Sequence, residues 1–373
     1  MNIRSLALTF FLPLFLAACA SSLGPTKLPA TRMDYNIAVQ RSNNEEMLLN
    51  IIRLKYFEQP LFLQVGSVAS SFTFGITGGG NAAIPDQRVI AQSIYTTYTP
   101  TISSNYTDSP TVTYTPYQGQ AYAQQMLAEI DIDRFLTLCK SSWSIEFLMQ
   151  VLVMRFGNID HSYDARSGYP AEDHARFTEL VAILSDMDDR GMLDFNVVSS
   201  GKDKHKILTL TMRFANESEA EPLGKLIGVP LKPVMTDYGY LLTRAWLAPG
   251  REMALAEDSE LARSMPVIPF RLRDGLRAMN VLSQGIDVPP ELLKSKKGFD
   301  LRHQFKDVCD IRVSSGTPSG AYVATKYGDY WYFISDDDAR SKEMFQFLLN
   351  IFALLSADPP KNAPMLTLPV GGG

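Results

Sequence analysis

The spacing of hydrophobic residues changes several times along the chain, and each change marks a predicted element. Residues 34–57 carry an apolar stripe at helical spacing, and Pro60 ends the predicted helix. From residue 61 the period becomes two, which favours a strand over residues 61–77. Residues 92–117 are rich in Tyr and Thr, and their prolines favour two short strands. Segment 61–117 is therefore predicted to be β-rich.

The centre of the chain is predicted to be helical. Residues 119–157 have helical patterns, and the run from Trp143 to Phe156 is apolar on nearly all sides, which indicates deep burial. An amphipathic helix is expected over residues 171–188. Alternating residues then predict two strands within residues 192–214 and a third at residues 238–246.

The clearest pattern lies in the last part of the chain. Strands are expected at residues 307–314, 321–327 and 330–334, and a helix then runs to about residue 355. Together the patterns predict an α+β fold. It would have an N-terminal helix with a β-rich segment, a buried helical centre, and a C-terminal antiparallel sheet closed by a helix.

The N-terminus has the features of a targeting sequence. Arg4 precedes an apolar run from Leu6 to Leu16, which is shorter than the roughly 20 residues that span a bilayer. The run ends in Leu-Ala-Ala-Cys, which resembles the bacterial lipobox, and this places the lipidated thiol at Cys19. The expected domains are a signal peptide (1–18), a lipid tether (19–33), an N-terminal α+β domain (34–248) that includes segment 61–117, and a C-terminal α+β unit (249–373).

Lipidation at Cys19 would place the protein on a membrane. A diacylglycerol and an N-acyl chain on one residue satisfy the need for more than one lipid in stable anchoring. Ala20 and Ser21 follow the cysteine, so the aspartate of the usual inner-membrane retention signal is absent. The resemblance to sorted bacterial lipoproteins therefore implies the periplasmic face of the outer membrane, with membrane lipid as a partner.

Composition and motifs limit the function classes. The chain has 373 residues, 46% of them hydrophobic, with a net charge of −5 and no long basic run, which argues against nucleic-acid binding. Zinc-protease, phosphate-loop and nucleophile-elbow spacings are absent from the sequence. We therefore expect a protein that is not an enzyme and that carries no cofactor beyond the lipid on Cys19.

Three further groups are candidate sites, each with a structural alternative. Cys139 and Cys309 are a candidate disulfide, or two separately buried thiols. Asp336, Asp337 and Asp338 are a candidate metal site, although Ser335 or Asp336 capping the last helix is the simpler explanation. The aromatic residues of 327–333 suit glycan stacking, or one set of them belongs in the core.

The β-rich segment 61–117 is the most suggestive part of the chain. Residues 68–76 and 92–100 lack charge and approach the 9–11 residues that a membrane-crossing strand needs. Some outer-membrane lipoproteins oligomerise and contribute hairpins to a shared pore. A soluble sheet or a partner-binding edge is the default interpretation of the same residues.

Several stretches resemble a family of proteobacterial outer-membrane lipoproteins to which no activity is assigned: residues 45–56 with 60–67, residues 109–127, residues 321–354 and the terminal LTLPV. The resemblance implies a location and a shared architecture but no mechanism. We therefore expect a non-enzymatic scaffold or accessory factor of an envelope assembly, with an envelope protein as partner and homo-oligomerisation open. The alternatives are an oligomeric export lipoprotein that contributes hairpins from segment 61–117 to an outer-membrane pore, and a cell-wall glycan-binding module.

Overall fold

A seven-stranded sheet lies at the centre of the larger of two compact units. The structure is a computed structural model that describes residues 23–82, 98–117, 122, 126–161, 171–200, 205–237, 241–249, 265–294, 300–355 and 366–369. The larger unit comprises residues 1–60 and 118–357, and the smaller unit comprises residues 61–117 and 358–373.

The larger unit contains every described helix. In chain order these are α1 (Leu23–Lys55), α2 (Ile132–Cys139), α3 (Ile145–Leu152), α4 (Ala171–Asp189), α5 (Glu217–Ile227), α6 (Gly275–Gln284), α7 (Pro290–Lys294), α8 (Arg302–Phe305) and α9 (Ala339–Leu355). The smaller unit contains β1 (Phe62–Ala82), β2 (Tyr98–Tyr117) and β13 (Leu366–Pro369). The remaining strands belong to the larger unit: β3 (Val153–Phe156), β4 (Ile159–Asp160), β5 (Leu193–Ser200), β6 (His205–Phe214), β7 (Val234–Met235), β8 (Leu241–Pro249), β9 (Val267–Leu272), β10 (Arg312–Ser314), β11 (Ala321–Tyr327) and β12 (Tyr330–Ser335).

The central sheet has the strand order β4-β3-β9-β8-β6-β5, and β7 pairs with β8. All of its pairs are antiparallel except β8 with β9. The expected boundary between residues 248 and 249 falls inside this sheet, because the pairing of β8 with β9 joins the two sides of that boundary. The separate unit is instead built around the β-rich segment 61–117.

Helix α3 is the buried centre that the sequence predicts. Ser144 caps it by accepting a 3.3 Å hydrogen bond from the Phe147 amide, and six of its eight residues are buried. The helix ends at Leu152, four residues earlier than predicted. Residues Val153–Phe156 instead form β3, which pairs with β9 through backbone hydrogen bonds that a helix could not make.

The C-terminal part is an antiparallel sheet in the order β10-β12-β11, followed by α9. Tyr332 and Ile334 of β12 and Phe345, Phe347 and Ile351 of α9 are among its buried residues. The predicted α+β class is therefore confirmed, including the C-terminal antiparallel sheet. The first strand is shorter than expected, since β10 covers only Arg312–Ser314.

Helix α1 is longer than the sequence predicts. It begins at Leu23, so residues 23–33, which we expected to be an irregular tether, are helical. Its buried apolar residues are Met47, Leu48, Ile51 and Ile52, which belong to the predicted stripe. Among the helices of the described residues, α1 included, none is both long enough and apolar enough to cross a membrane.

Candidate functional site

The smaller unit is dominated by one very long antiparallel hairpin. Strands β1 and β2 have 21 and 20 residues. They pair from Phe62 opposite Tyr117 to Ala82 opposite Tyr98, with one β-bulge between Val65 and Ser67. At about 3.3 Å per residue each strand is roughly 65–70 Å long. Strands in globular proteins rarely exceed about ten residues, so this length needs an explanation beyond ordinary core packing.

Strand β2 is continuous where two short strands were expected. Its prolines do not interrupt the ladder with β1, and this part of the prediction was wrong. Pro100, Pro110 and Pro116 all occupy even positions, so the N–H groups that they lack fall on the same edge of β2. A proline at a strand edge removes no hydrogen bond from the ladder on the other side.

The hairpin strands are almost free of charge. Asp108 is the only Asp, Glu, Lys or Arg in β1 and β2. It lies opposite Phe72, at about the middle of the ladder. Beyond this position, ten consecutive uncharged pairs extend from Thr73 opposite Thr107 to Ala82 opposite Tyr98.

The register separates apolar and polar residues onto two faces, because alternate residues of a strand share a face. One face holds mainly apolar positions: Val68, Phe72, Phe74, Ile76, Gly78, Gly80 and Ala82 of β1, with Tyr98, Pro100, Ile102, Tyr106, Pro110 and Val112 of β2. We call this the apolar face; Ser70, Ser104 and Asp108 are its polar positions.

The opposite face, which we call the hydroxyl face, carries small residues that are mostly polar. Its β2 positions from Thr99 to Thr113 are all Thr, Ser or Asn. They are paired with Ser67, Ala69, Ser71, Thr73, Gly75, Thr77, Gly79 and Asn81 of β1. Thr77, Thr101, Ser103 and Asn105 are exposed.

A β-bulge near the base of the hairpin preserves this separation. The register shifts between Val65 and Ser67, so β1 has one extra residue there. If residues 62–68 alternated regularly, without the bulge, Leu63 and Val65 would lie on the same face as Ser67 instead of the face of Val68. The bulge therefore places Leu63 and Val65 on the apolar face together with Val68.

Most of the hairpin edge has no strand partner in the described residues. Strand β13 pairs with Thr111–Tyr114 of β2, near the base. Within the described part of the chain, no further strand lies beside the outer edge of β1 or beside residues 98–110 on the outer edge of β2. Such edges present unpaired N–H and C=O groups to any neighbouring strand.

The predicted lipidation residue, Cys19, lies outside the described residues, so its modification remains a prediction. The other two cysteines are both free in the structure. Cys309 is fully buried and Cys139 is half-buried, and burial raises the pKa of both thiols. The candidate disulfide is therefore not formed.

The aspartates at the start of α9 are engaged in capping and pairing. Asp338 accepts hydrogen bonds from the Ser341 amide at 3.0 Å and the Ser341 hydroxyl at 2.6 Å, so Asp338 is the cap rather than Ser335 or Asp336. Asp336 pairs with Lys342 at 2.8 Å. A hydrogen bond from Ser335 lowers the pKa of Asp337. The described residues contain no group of three or more His, Cys, Asp or Glu side chains placed to hold a metal ion.

The aromatic residues of β11 and β12 take part in internal contacts. Tyr332 is fully buried, and its hydroxyl lies 2.7 Å from that of Tyr56. The ring of Tyr327 stacks on Tyr56 with centroids 5.4 Å apart, and the Tyr327 hydroxyl donates to Glu58 at 2.6 Å. These contacts join the end of α1 to the C-terminal sheet and support the interpretation that one aromatic set belongs to the core.

Comparison with known proteins gave no match: no family model, no curated protein and no solved structure is similar to this chain. The expected membership of a lipoprotein family therefore stays a prediction.

Proposed function

We propose that this chain is an outer-membrane lipoprotein that assembles into a homo-oligomeric pore, to which each copy contributes the β1–β2 hairpin. The observation that carries the proposal is the pairing register, which gives one nearly uncharged hairpin an apolar face and a hydroxyl face. Lipid would cover the apolar face, and the hydroxyl face would line a water-filled passage.

The outer ten pairs of the hairpin have the length that a membrane requires. A strand needs about 9–11 residues to cross a bilayer, and the uncharged pairs beyond Asp108 number ten, from Thr73–Thr107 to Ala82–Tyr98. On the apolar face, aromatic positions occur near both ends of this stretch, at Tyr106 opposite Phe74 and at Tyr98. Ten residues measure about 33 Å along a strand, which at a tilt of about 40° spans about 25 Å along the bilayer normal, the height of the apolar band of outer-membrane strands. Tyr98 and Tyr106 are eight residues apart and would span about 20 Å of that height.

The free strand edges support assembly of several copies. In a membrane, each unpaired backbone group costs several kcal/mol, so a single hairpin with two open edges would not be stable there. Neighbouring copies would pair the outer edge of β1 with the outer edge of β2 and leave no edge open. A lipid on Cys19 would hold each copy at the membrane before assembly.

The decisive experiment compares two adjacent substitutions that fall on opposite faces, Ile76→Arg and Thr77→Arg. Arginine at position 76 would face lipid near the bilayer centre, where it costs about 2–4 kcal/mol per copy. Arginine at position 77 would lie in the aqueous passage, where it is solvated. We expect the wild type and Thr77→Arg to form a detergent-stable oligomer that conducts ions in planar bilayers. Thr77→Arg should reduce the passage of cations, and Ile76→Arg should lose both the oligomer and the conductance.

The same comparison in a Cys19→Ala background separates hairpin insertion from lipid anchoring. A pore subunit would still need detergent without its lipid, whereas a tethered periplasmic module would become soluble. Monomeric, soluble protein without conductance, unaffected by either arginine, would refute the pore. It would favour the non-enzymatic scaffold or accessory role that the sequence alone suggests.

A further inference from the structure

A cleft of about 450 Å³ in the larger unit lies beside β3, β4, β9 and α6, and it is independent of the hairpin. Four arginines line it, Arg155, Arg271, Arg273 and Arg277. Asp160 is its only carboxylate among the described residues. Such an excess of guanidinium groups in one cleft calls for an explanation, since like charges in proximity destabilise a fold.

Two of the arginines are directly opposed on neighbouring strands. Arg155 of β3 is paired with Arg271 of β9, and on its other side Arg155 is paired with Asp160 of β4. Like charges in opposed positions of a sheet repel each other. Arg155 forms a two-pronged ion pair with Asp160, with both N···O distances 2.6 Å. Arg271 is exposed and makes no ion pair within the described part of the chain.

Arg273 contributes a positive charge to the cleft, and internal hydrogen bonds hold its guanidinium in place. It is 4% exposed, and its guanidinium donates to the carbonyls of Gln150, Val151 and Val153 at 3.2, 3.1 and 2.6 Å. It also donates to the carbonyl of His161 and lies 3.0 Å from the Nδ1 atom of that ring. The first two carbonyls belong to the last turn of α3, so Arg273 donates hydrogen bonds to carbonyls that have no partner within the helix.

Burial and the charge of Arg273 hold the pKa of His161 well below its usual range, so the imidazole is neutral at pH 7.

Arg277 extends from the first turn of α6 into the same cleft. Its partner is Asp274, at 3.1 Å, and more than half of the Arg277 side chain remains exposed. Asp274 also caps α6 by accepting a 2.7 Å hydrogen bond from the Arg277 amide. The carboxylate is thus shared between a helix end and a guanidinium, which leaves donors of Arg277 for a ligand.

We propose that this cleft binds a small anion that carries at least two phosphate or carboxylate groups. Arg271 and Arg277 would each bind an anionic group through two parallel N–H···O hydrogen bonds, the geometry in which guanidinium recognises carboxylate and phosphate. Arg155 and Arg273 are held by internal partners and would add charge and shape. An anion bound between the two guanidinium groups would also reduce the repulsion between Arg155 and Arg271.

Calorimetric titration of the full-length, detergent-purified protein with pyrophosphate and with citrate, at constant ionic strength set by sodium chloride, tests this proposal. We expect saturable one-to-one binding of at least one of the two probes. The stronger of the two then assigns the site to phosphate or to carboxylate ligands. Arg271→Gln and Arg277→Gln should each weaken binding by about tenfold or more, since a hydrogen bond to a charged group is lost. Arg190→Gln is the matched control, because Arg190 pairs with Asp186 at the end of α4 and does not line the cleft.

Thermal unfolding gives an independent readout that also checks folding. Without an added anion, Arg271→Gln should unfold at or above the wild-type temperature, because the substitution removes the opposed charge. Pyrophosphate or citrate should raise the unfolding temperature of the wild type by more than that of Arg271→Gln at the same concentration. Absence of saturable binding by both probes up to about 10 mM would overturn the proposal. Equal weakening by Arg190→Gln would also overturn it, because that result indicates only general charge screening.

Discussion

Lys55, the last residue of α1, carries a buried amine with no hydrogen-bond partner among the residues that the structure describes. Burial lowers the pKa of this amine from 10.5 to about 8, and the charge of Asp300 opposes the shift. Replacement by Met removes the buried charge and keeps a long apolar chain of similar helix propensity. We therefore expect Lys55→Met to stabilise the larger unit.

The size of this effect follows from the difference in pKa between the folded and the unfolded chain. A fall from 10.5 to about 8 corresponds to about 3 kcal/mol of unfavourable free energy for the charged form. A cation in the last turn of a helix interacts favourably with the helix dipole, and Met would lose about 0.5 kcal/mol of this interaction. The net gain in the free energy of unfolding at pH 7 should therefore be about 2–3 kcal/mol.

The pH dependence of this gain has a definite sign. Below about pH 8 the amine is charged in both states, so the wild type carries the full penalty and the variant is more stable. Between about pH 8 and 10.5 the folded wild type is neutral while its unfolded chain is still protonated. Wild-type stability therefore rises relative to the variant across this window, and the difference becomes constant above it.

Urea unfolding followed by tryptophan fluorescence suits this measurement, because all three tryptophans lie in the larger unit. Cys139 and Cys309 ionise at lower pH in the unfolded chain than in the fold, where burial raises the pKa of both thiols. Their ionisation lowers the stability of both proteins at alkaline pH, so the difference between the two curves isolates Lys55. Lys140→Met, at an exposed position after α2, is the control for loss of a surface lysine and should change the free energy of unfolding at pH 7 by less than about 1 kcal/mol.

Two results would refute the reasoning about Lys55. A variant less stable than the wild type at pH 7 would mean that the amine makes a favourable interaction in the fold. A difference that stays constant from pH 7 to about pH 10.5 would mean that the pKa of Lys55 is not lowered.

Three further predictions concern the core of the larger unit. Gly285→Ala should lower the free energy of unfolding in urea by about 3 kcal/mol or more, because a Cβ there would lie 1.8 Å from the Cys309 carbonyl oxygen. Gly316→Ala is the control and should change this free energy little, because a Cβ at that position meets no atom within 4 Å. Arg273→Met should lower the free energy of unfolding by about 3–5 kcal/mol, because it leaves buried carbonyls without a donor. Arg190→Met, at an exposed ion pair, should change it by less than about 1 kcal/mol, and equal effects of the two substitutions would contradict the buried network. Finally, Cys309 should resist alkylation until urea unfolds the protein, as measured by intact mass, and labelling of the native protein would argue against a buried thiol.

The elements that the sequence predicts well are those whose pattern is local. Helix α4, strands β11 and β12 and helix α9 follow clear periodicities, and the apolar character of α3 predicts its burial. The end of α3 could not be predicted in this way, because the strand character of Val153–Phe156 depends on β9, more than 100 residues later in the chain. Local propensity contains no information about such a distant partner.

The continuity of β2 was predictable but was missed. Every odd position from residue 99 to 115 is Thr, Ser or Asn, which is a strict period of two across two prolines. The prolines were given more weight than this alternation. By contrast, nothing in the sequence predicts the arginine cleft, since Arg155 comes from a different part of the chain than Arg271 and Arg277, and only the sheet register brings them together.

The composition of the hairpin restricts the ways in which it can exist in a cell. Two-stranded ribbons are marginal in water, and soluble proteins protect open edges with charges, of which β1 and β2 have only Asp108. A solitary periplasmic scaffold would therefore leave open the edges that have no strand beside them within the described residues. A ring of hairpins in a membrane would cover the apolar face with lipid, pair both edges with neighbouring copies, and leave the hydroxyl face in water. Because the ring would meet all three requirements, we favour the pore over the scaffold as the proposal to test first.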